Sequence, residues 1–243
     1  MKTLFYISAL ILLVSSCKRA DDLFKSYGKD ITVERRVGSF TKINVGEKFD
    51  VELVLDSANE GLIELTAGSN VIDGYTTEVK NGELLIQNDN KFNWVRKLKV
   101  RQKVVVHFKN LNDIQIRGSA KFTCRDSIVN TSQFNIKHAG LEDAHLKIKG
   151  DYIFIDCTNT GGVNLSGSCF LLSASVDDIS FVNSLLLNAS KSYLTSFSKD
   201  DSYVKGNDVL EIKLYGTGSV YYRSELSTSL KLEDDGSGNI LKY

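Results

Sequence analysis

The sequence predicts an all-β protein whose second half winds into a right-handed parallel β-helix, or β-solenoid, with coils of about 20 residues. Three observations lead to this fold class. Val, Ile, Thr, Tyr, Phe and Ser are plentiful, whereas alanine-rich segments with a helical leucine period are scarce, and this balance favours strands. Apolar and polar residues alternate along the first half, as they do in half-buried strands. Short apolar segments then recur between polar turns at a regular interval, which is the signature of a solenoid.

The composition limits the class of partner. The chain has 243 residues, with 30 basic and 30 acidic side chains and a formal net charge of zero. No overall electric field therefore directs it to nucleic acid, and we expect no nucleic-acid partner. With 42% hydrophobic residues, the composition is ordinary for a globular protein of one or two domains with a sizeable core.

The N-terminal segment carries a targeting signal. Residues 1–16 begin with the basic Lys2, continue with an apolar run from Leu4 to Val14 and end in two serines. This run is too short to span a bilayer and is typical of a secretory signal peptide. The motif VSSC, which ends at Cys17, resembles the bacterial lipobox, in which the cysteine thiol receives a diacylglycerol and becomes the first residue after cleavage. Cys17 is therefore the predicted lipidation site.

Lipidation at Cys17 predicts a protein that is anchored to a membrane through its lipid and does not span it. Residues 17–30 would form the acylated cysteine and a linker. Lys18 stands where an inner-membrane retention signal would have aspartate, so we expect an outer-membrane lipoprotein of the cell envelope. The acidic pair Asp21-Asp22 is similar to the surface-export signal of Bacteroidetes lipoproteins. Which leaflet carries the protein, periplasmic or surface-exposed, stays open.

Residues 31–110 are predicted to form an N-terminal β region that packs on the solenoid or continues into it. The segments FTKINV and FDVELVL alternate apolar and polar residues, which is the period of half-buried strands. Within VKNGELLIQ, Asn81-Gly82 predicts a tight hairpin, because both central positions of such a turn favour positive φ. A single helical turn is expected near Val71 to Tyr75.

Residues 111–243 are predicted to form the solenoid, although 31–243 could also be a single domain. The apolar residue just after each polar turn recurs with a mean step of (240 − 122)/6, or about 20 residues. Leucine-rich repeats would need a regular asparagine ladder, and propeller blades would need about twice this period. The repeat markers are Phe122, Ala144, Val163, Ile179, Tyr203, Val220 and Ile240.

Two glycine-rich motifs near the C-terminus, GTG at residues 216–218 and GSG at residues 236–238, raise the question of a phosphate-binding loop. A phosphate loop needs a helix N-terminus after it, whereas the strand-like segments VYY and NIL follow here. The two motifs are therefore predicted to be corners of successive coils.

Several segments together carry a resemblance to a known family: GSFTKINVGEKFDVEL, GSNVIDGYTTEVKNGELLIQ, VVVHFKNLNDIQIRGSA, GTGSVYY and GSGNI. They are similar to the auto-transporter adhesin head domain, or GIN domain, family. The resemblance spans Val37 to Tyr243 and implies an envelope protein of a kind abundant in Bacteroidetes, with a β-helical fold. Family members usually have Gly-Ser-Gly at most coils, where this chain has HAG at residues 138–140 and two pairs of aspartates. The family supplies no catalytic residues that could be carried over.

A row of basic residues is the candidate ligand-binding site. In the segment KLKVRQKV the cations alternate with other residues, so a strand would place all of them on one side. An anionic glycan could dock there, although such a row can equally be a solvated face that discourages edge pairing. The row consists of Lys97, Lys99, Arg101 and Lys103.

Acidic residues recur at the turns and offer an enzymatic alternative. On a β-helix, stacked corners could supply the paired carboxylates of a polysaccharide lyase or hydrolase, or an acidic ladder for calcium. Their uneven spacing, and the general preference of aspartate for turns, favour a structural role. The acidic pairs are Glu142-Asp143, Asp177-Asp178, Asp200-Asp201 and Asp234-Asp235.

No other motif predicts a chemistry. The three histidines lack metal-site spacing and no nucleophile motif is present, so we predict no metal, no cofactor and no catalytic residue. Whether Cys124, Cys157 and Cys169 pair stays open, because an odd count leaves at least one thiol free. The sequence therefore favours a non-catalytic binding or adhesion module for glycan, matrix or a partner protein.

Overall fold

The computed structural model of the protein describes residues 26–90, 101–225 and 227–243. In this part of the chain the regular structure consists of eighteen strands and two short 3-10 turns, Ser57–Asn59 and Ile72–Gly74, without an α-helix. The predicted all-β class is confirmed. The strands are β1 (Asp30–Arg36), β2 (Lys42–Val45), β3 (Phe49–Leu55), β4 (Leu62–Gly68), β5 (Tyr75–Lys80), β6 (Glu83–Asn88), β7 (Gln102–Phe108), β8 (Asp113–Gly118), β9 (Lys121–Cys124), β10 (Ile128–Gly140), β11 (Ala144–Cys157), β12 (Val163–Val176), β13 (Val182–Ser196), β14 (Ser202–Gly206), β15 (Val209–Leu214), β16 (Val220–Ser224), β17 (Ser229–Asp234) and β18 (Ile240–Lys242).

The coils stack through parallel pairing. Each coil of the second half contributes a first and a second strand segment, which meet at a corner, and a polar loop leads to the next coil. First segments stack in the order β3, β9, β11, β12, β13, β14, β16, β18. Second segments stack in the order β6, β2, β8, β10, β11, β12, β13, β15, β17. The long strands β11 to β13 pass a corner and belong to both stacks. The result is a β-solenoid of about six coils of about 20 residues, as predicted.

The core consists of columns of apolar side chains that run along the solenoid. One column takes one inward residue from each second segment, and eight of its nine members are at most 5% exposed. Only the last member, Leu232, is 42% exposed. Each coil thus buries its apolar side chains against the coils on either side, as in other solenoids. The column is Leu84, Ile43, Ile114, Ile136, Ile155, Ala174, Leu194, Ile212 and Leu232.

Antiparallel pairs occur only toward the N-terminal end of the described strands, where β4 lies between β1 and β7 and where β5 pairs with β6. Asn81 and Gly82 join β5 to β6 with φ angles of 52° and 74°, so the hairpin predicted from the Asn-Gly pair is confirmed. β2 pairs with both β6 and β8, and β3 with both β7 and β9. Strands on both sides of residue 110 therefore share one stack, and the domain boundary at that residue stays a prediction.

Two of the repeat markers lie elsewhere than the sequence suggested. Ile179 is 48% exposed in a polar loop, and Val182, which is buried, takes the inward place beside Val163. The loop between β12 and β13 is longer than the spacing of the repeat markers predicts. Tyr203 faces outward, and the buried Ser202 pairs with the next inward residue of the stack. The sequence pattern predicts a core position for Tyr203 because its ring is large and partly apolar, whereas the structure places the small Ser202 inward.

The glycine-rich motifs form corners of the solenoid, as predicted. A Cβ at Gly218 would lie 2.1 Å from the carbonyl oxygen of Asp200, and a Cβ at Gly238 would lie 2.1 Å from the carbonyl oxygen of Gly218. Neither glycine has a positive φ angle, so backbone conformation does not demand glycine at these positions. Glycine is required here because successive corners lie so close together that any side chain would collide with the preceding coil.

Candidate functional site

The outward side of the second segments forms a long sheet face that carries polar and aromatic side chains. It spans nine strands, which at a spacing of about 4.8 Å gives a length of about 38 Å. Two columns of outward residues cover it, and we call it the outward face. The first column is Glu83, Lys42, Asp113, Asn135, Phe154, Ser173, Tyr193, Glu211 and Lys231, and the second is Leu85, Asn44, Gln115, Lys137, Asp156, Ser175, Thr195, Lys213 and Glu233.

A groove crosses the middle of the outward face. Ser173 and Ser175 on β12 are short, whereas Phe154 on the preceding coil and Tyr193 on the following coil are large. The two rings lie two strands apart, about 9.6 Å along the stack, and the serines lie on the strand between them. The resulting groove has a volume of about 280 Å³, and we call it the serine groove. It is lined by Asn135, Lys137, Phe154, Asp156, Ser173, Ser175 and Thr195, together with neighbouring backbone.

The serine groove combines an apolar surface with hydrogen-bonding groups. Phe154 is 38% exposed, so one side of its ring is available to a ligand. Asp156 supplies carboxylate acceptors, Lys137 an ammonium donor, and Asn135 both amide donors and an acceptor. Binding sites for small molecules commonly pair such an apolar surface with a few polar groups of fixed position.

A second concavity lies toward the N-terminal end of the outward face. It has a volume of about 380 Å³, and its lining is mainly polar. Asn44 donates from its amide nitrogen to Glu83 at 3.0 Å, and its amide oxygen accepts from Arg117 at 2.6 Å. Partial burial, together with the charge of Asp89, raises the pKa of Glu47. No aromatic ring lines this concavity, so it lacks the stacking surface of the serine groove.

The predicted basic row is only partly described. Lys97 and Lys99, like Cys17, lie outside the described residues. Lys103 forms an ion pair with Glu52 at 3.1 Å. The row as a ligand site stays a prediction.

Arg101 of the same row binds within the chain through all three of its guanidinium nitrogens. Its Nε donates to Asp50 at 2.6 Å and its Nη1 donates to Glu142 at 3.0 Å. Its Nη2 donates to the carbonyl oxygens of Phe49 at 3.2 Å and Ser119 at 2.7 Å. Arg101 thereby connects three successive parts of the stack, and this role competes with ligand binding.

The acidic residues at the turns hold backbone amides in place. Asp143 accepts from the backbone N–H of Gly162 at 3.0 Å, and Asp201 accepts from that of Ser219 at 2.7 Å. Asp178 accepts from the backbone N–H of Asn159, on the preceding coil, at 3.1 Å. These bonds connect each corner with an adjacent coil. Across residues 26–90, 101–225 and 227–243, no group of three His, Cys, Asp or Glu side chains could hold a metal ion.

His138 is buried in a corner and has two hydrogen-bond partners. Its Nε2 lies 2.8 Å from the carbonyl oxygen of Glu142, and its Nδ1 accepts from the backbone N–H of Gly140 at 3.3 Å. This pattern requires the neutral ring with its proton on Nε2, because Nδ1 acts as an acceptor. Burial lowers the pKa of His138, which is consistent with that neutral form.

The three cysteines are free thiols inside strands. Burial raises the pKa of Cys124 to about 11 and that of Cys169 to about 12. It also raises the pKa of Cys157 well above its ordinary value. In the structure, Cys124, Cys157 and Cys169 form no disulfide with one another.

The comparison with known families identifies the chain. Residues 39–225 match the family model described as "Putative auto-transporter adhesin, head GIN domain". The chain belongs to this family. This GIN-domain protein was recognised correctly from its sequence motifs. No curated protein matches it.

Solved structures share the fold of this GIN-domain protein. A "putative adhesin" from Bacteroides fragilis is 17% identical, with a TM-score of 0.83, over 90% of this chain and 100% of that one. A "putative adhesin" from Parabacteroides merdae is 14% identical, with a TM-score of 0.66, over 90% and 98%. A "putative lipid binding protein" from Parabacteroides distasonis is 19% identical, with a TM-score of 0.61, over 90% and 99%. At these identities the likeness shows the fold alone.

Two aromatic residues of the outward face, Phe154 and Tyr193, lie on the strands on either side of the serines. The sequence does not identify Phe154 and Tyr193 as site residues, because nothing in the local segments IFIDC and SYLTS shows which residues of different coils become neighbours. Only the register between coils shows that these two rings face outward on either side of Ser173.

The described part of this GIN-domain protein contains no helix that is long and apolar enough to cross a membrane.

Proposed function

We propose that this GIN-domain protein is a lipid-anchored protein of the outer membrane that binds glycan chains, without catalysis, on its outward face. The observation that carries the proposal is the serine groove, a depression in the outward face that combines the ring of Phe154 with the polar side chains of Asn135 and Asp156. Membership of the adhesin head family supports a binding role. Asp143, Asp178 and Asp201 accept backbone hydrogen bonds, which gives these turn carboxylates a structural explanation without catalysis.

A sugar ring fits the chemistry of the groove. A pyranose has an apolar face of C–H groups, which an aromatic ring such as that of Phe154 attracts by weak contact. It also has hydroxyl groups around its rim, which Asp156 and Asn135 can bind. A groove of about 280 Å³ is small for an independent ligand, since most ligand pockets hold roughly 300–1,000 Å³. It suits one sugar unit of a longer chain that continues along the 38 Å face, about the length estimated from the strand spacing.

Glycan-array binding tests the proposal. The assay uses a variant of the protein that lacks residues 1–16 and carries Cys17→Ser. This variant has no lipid anchor and keeps every described residue. We expect binding to at least one glycan class and its loss in Ser173→Tyr, which fills the groove and leaves Phe154 in place. Tyr152→Ala is the matched control, because this tyrosine is similarly exposed, at 42%, but lies outside the groove. Binding to no glycan, or equal binding by the Ser173→Tyr variant, would refute glycan recognition at the serine groove. Binding of a matrix protein at the same groove would replace glycan by protein as the proposed ligand.

Lipid anchoring at Cys17 is tested separately. We expect the full-length chain to incorporate radiolabelled fatty acid and to sediment with outer membranes, and Cys17→Ser to lose both properties. Protease treatment of intact cells then distinguishes the two leaflets, because only a surface-exposed chain is cleaved. Equal membrane association of Cys17→Ser would contradict the anchor.

A further inference from the structure

A third concavity, with a strongly basic lining, lies on the opposite stack, that of the first segments. It is formed around β14, β16 and β18 and has a volume of about 310 Å³. We call it the C-terminal basic pocket. Its side chains are Leu185, Lys205, Arg223, Glu225, Lys242 and Tyr243.

The charge of this pocket is unusual for a chain whose formal net charge is zero. Three of the lining residues have basic side chains and one has an acidic side chain, so the side-chain charges of the pocket sum to 3 − 1, or +2. Lys205 and Arg223 are register partners on adjacent strands, so their backbones lie about 4.8 Å apart and their cationic side chains leave the sheet as neighbours. Within the described part of the chain, no carboxylate forms an ion pair with Lys205, Arg223 or Lys242. Like charges on neighbouring side chains repel, and a bound anion would relieve the repulsion.

The ring of Tyr243 contacts the guanidinium of Arg223. The guanidinium carbon lies 4.7 Å from the centre of the Tyr243 ring, in a cation–π contact. Such a contact covers the flat side of the guanidinium and leaves the N–H groups at its edge free to donate. A guanidinium edge matches two oxygens of a phosphate or sulfate group, with both hydrogen bonds assisted by charge.

An aromatic surface adjoins the pocket. Tyr203 and Tyr221 face outward two residues before Lys205 and Arg223, and their rings stack with centroids 5.1 Å apart and planes at 13°. Tyr243 packs edge-on against both rings, at 6.1 Å and 6.4 Å. Because the pocket is concave and larger than a free phosphate ion, its shape favours an oxyanion attached to a ring that can lie on these aromatics.

We propose that the C-terminal basic pocket binds the sulfate or phosphate group of an anionic saccharide. Arg223 and Lys205 hold the oxyanion, Lys242 adds to the positive potential, and the tyrosines contact the sugar. The pocket lies on the other stack from the serine groove, so this proposal does not depend on glycan binding there. A membrane headgroup would meet a flat or convex basic surface more readily than a concave pocket, and the test separates the two sources.

The experiment compares dextran sulfate with uncharged dextran by isothermal titration calorimetry. It uses the mature chain with Cys17→Ser, at low ionic strength, because salt screens such contacts. We expect dextran sulfate to bind and dextran not to bind, with inorganic phosphate competing at millimolar concentration. Arg223→Gln should weaken binding by about tenfold or more, since a charged hydrogen bond is lost. Arg223→Lys should restore only part of it, because the paired N–H edge is missing.

Controls distinguish a site from general attraction between opposite charges. Arg36→Gln is the matched control, an exposed arginine at the far end of the stack whose guanidinium makes only a 3.5 Å contact with Asn59. It should leave dextran sulfate binding within about twofold, because it does not face the pocket. Lys242→Gln, at an exposed position, tests the pocket independently if Arg223→Gln lowers the urea midpoint. Equal losses in Arg36→Gln and Arg223→Gln, or no preference for dextran sulfate over dextran, would overturn the proposal. So would binding to phosphatidylglycerol vesicles, with phosphatidylcholine as control, in the absence of binding to dextran sulfate.

Discussion

Replacing Gly218 by alanine tests the claim that the corners need glycine because successive coils touch. The new Cβ would lie 2.1 Å from the carbonyl oxygen of Asp200, whereas ordinary contact begins near 3.4 Å. The corner must therefore move by 3.4 − 2.1, or 1.3 Å. Overpacking of this kind typically costs about 1–3 kcal/mol.

The same displacement strains a neighbouring hydrogen bond. The backbone N–H of Gly218 donates to the carbonyl oxygen of Ser198 at 3.0 Å, and a shift of this size can break it. A lost hydrogen bond adds about 1 kcal/mol. We therefore expect Gly218→Ala to lower the free energy of unfolding by about 2–4 kcal/mol, the sum of the two contributions.

Gly38→Ala is the matched control. No heavy atom lies within 4 Å of the added Cβ at this position, and its φ angle is not positive. Alanine there only restricts the unfolded chain, so we expect a gain of up to about 0.4–1 kcal/mol. Equilibrium urea unfolding followed by far-ultraviolet circular dichroism measures both changes. Equal effects of the two substitutions, or a stabilised Gly218→Ala, would refute the close-contact explanation.

Three further predictions concern the core, the corners and the thiols. Leu194→Ala should cost about 2.7–5 kcal/mol in urea unfolding, whereas Leu232→Ala in the same column should cost only about 1–2 kcal/mol, because that side chain is 42% exposed and leaves no closed cavity. Burial lowers the pKa of His138, so the unfolded chain binds its proton first and stability should fall as pH decreases below about 6.5; His138→Gln should flatten the dependence of the urea midpoint between about pH 7.5 and 5.5. Burial raises the thiol pKa of Cys157 and Cys169, so neither should react with Ellman's reagent until the protein is unfolded.

The fold could be predicted because a solenoid repeats the same physical requirement in each coil. Apolar side chains must recur at the coil length, and small or polar residues must recur at the corners, and both patterns are visible in one sequence. The exact register could not be read in the same way. Tyr203 appeared to be a core residue, yet the small Ser202 beside it faces inward. Which of two neighbours faces the core depends on loop length, and one residue of difference exchanges the two faces.

The candidate site was harder to predict than the fold, because it depends on which residues of different coils become neighbours. Phe154 and Tyr193 are 39 residues apart in the sequence, 193 − 154, and only the stacking of three coils brings them to either side of the serines. Arg101 shows the opposite problem. Its place in a basic row suggested a ligand site, whereas the structure surrounds it with Asp50 and Glu142, which no local pattern indicated.

The strand between Phe154 and Tyr193 is unusual in a way that packing does not explain. In its segment SAS, the inward Ala174 replaces the larger Ile155 and Leu194 of the neighbouring coils, and both outward residues are serines. β-branched or aromatic residues would cover this part of the sheet better, as Thr195 does on the next coil. Inward positions are restricted by the core and corner positions by close contact, so outward positions are where the sequence is free to vary. Two serines together on the outward side of a central strand therefore favour a groove kept open for a ligand.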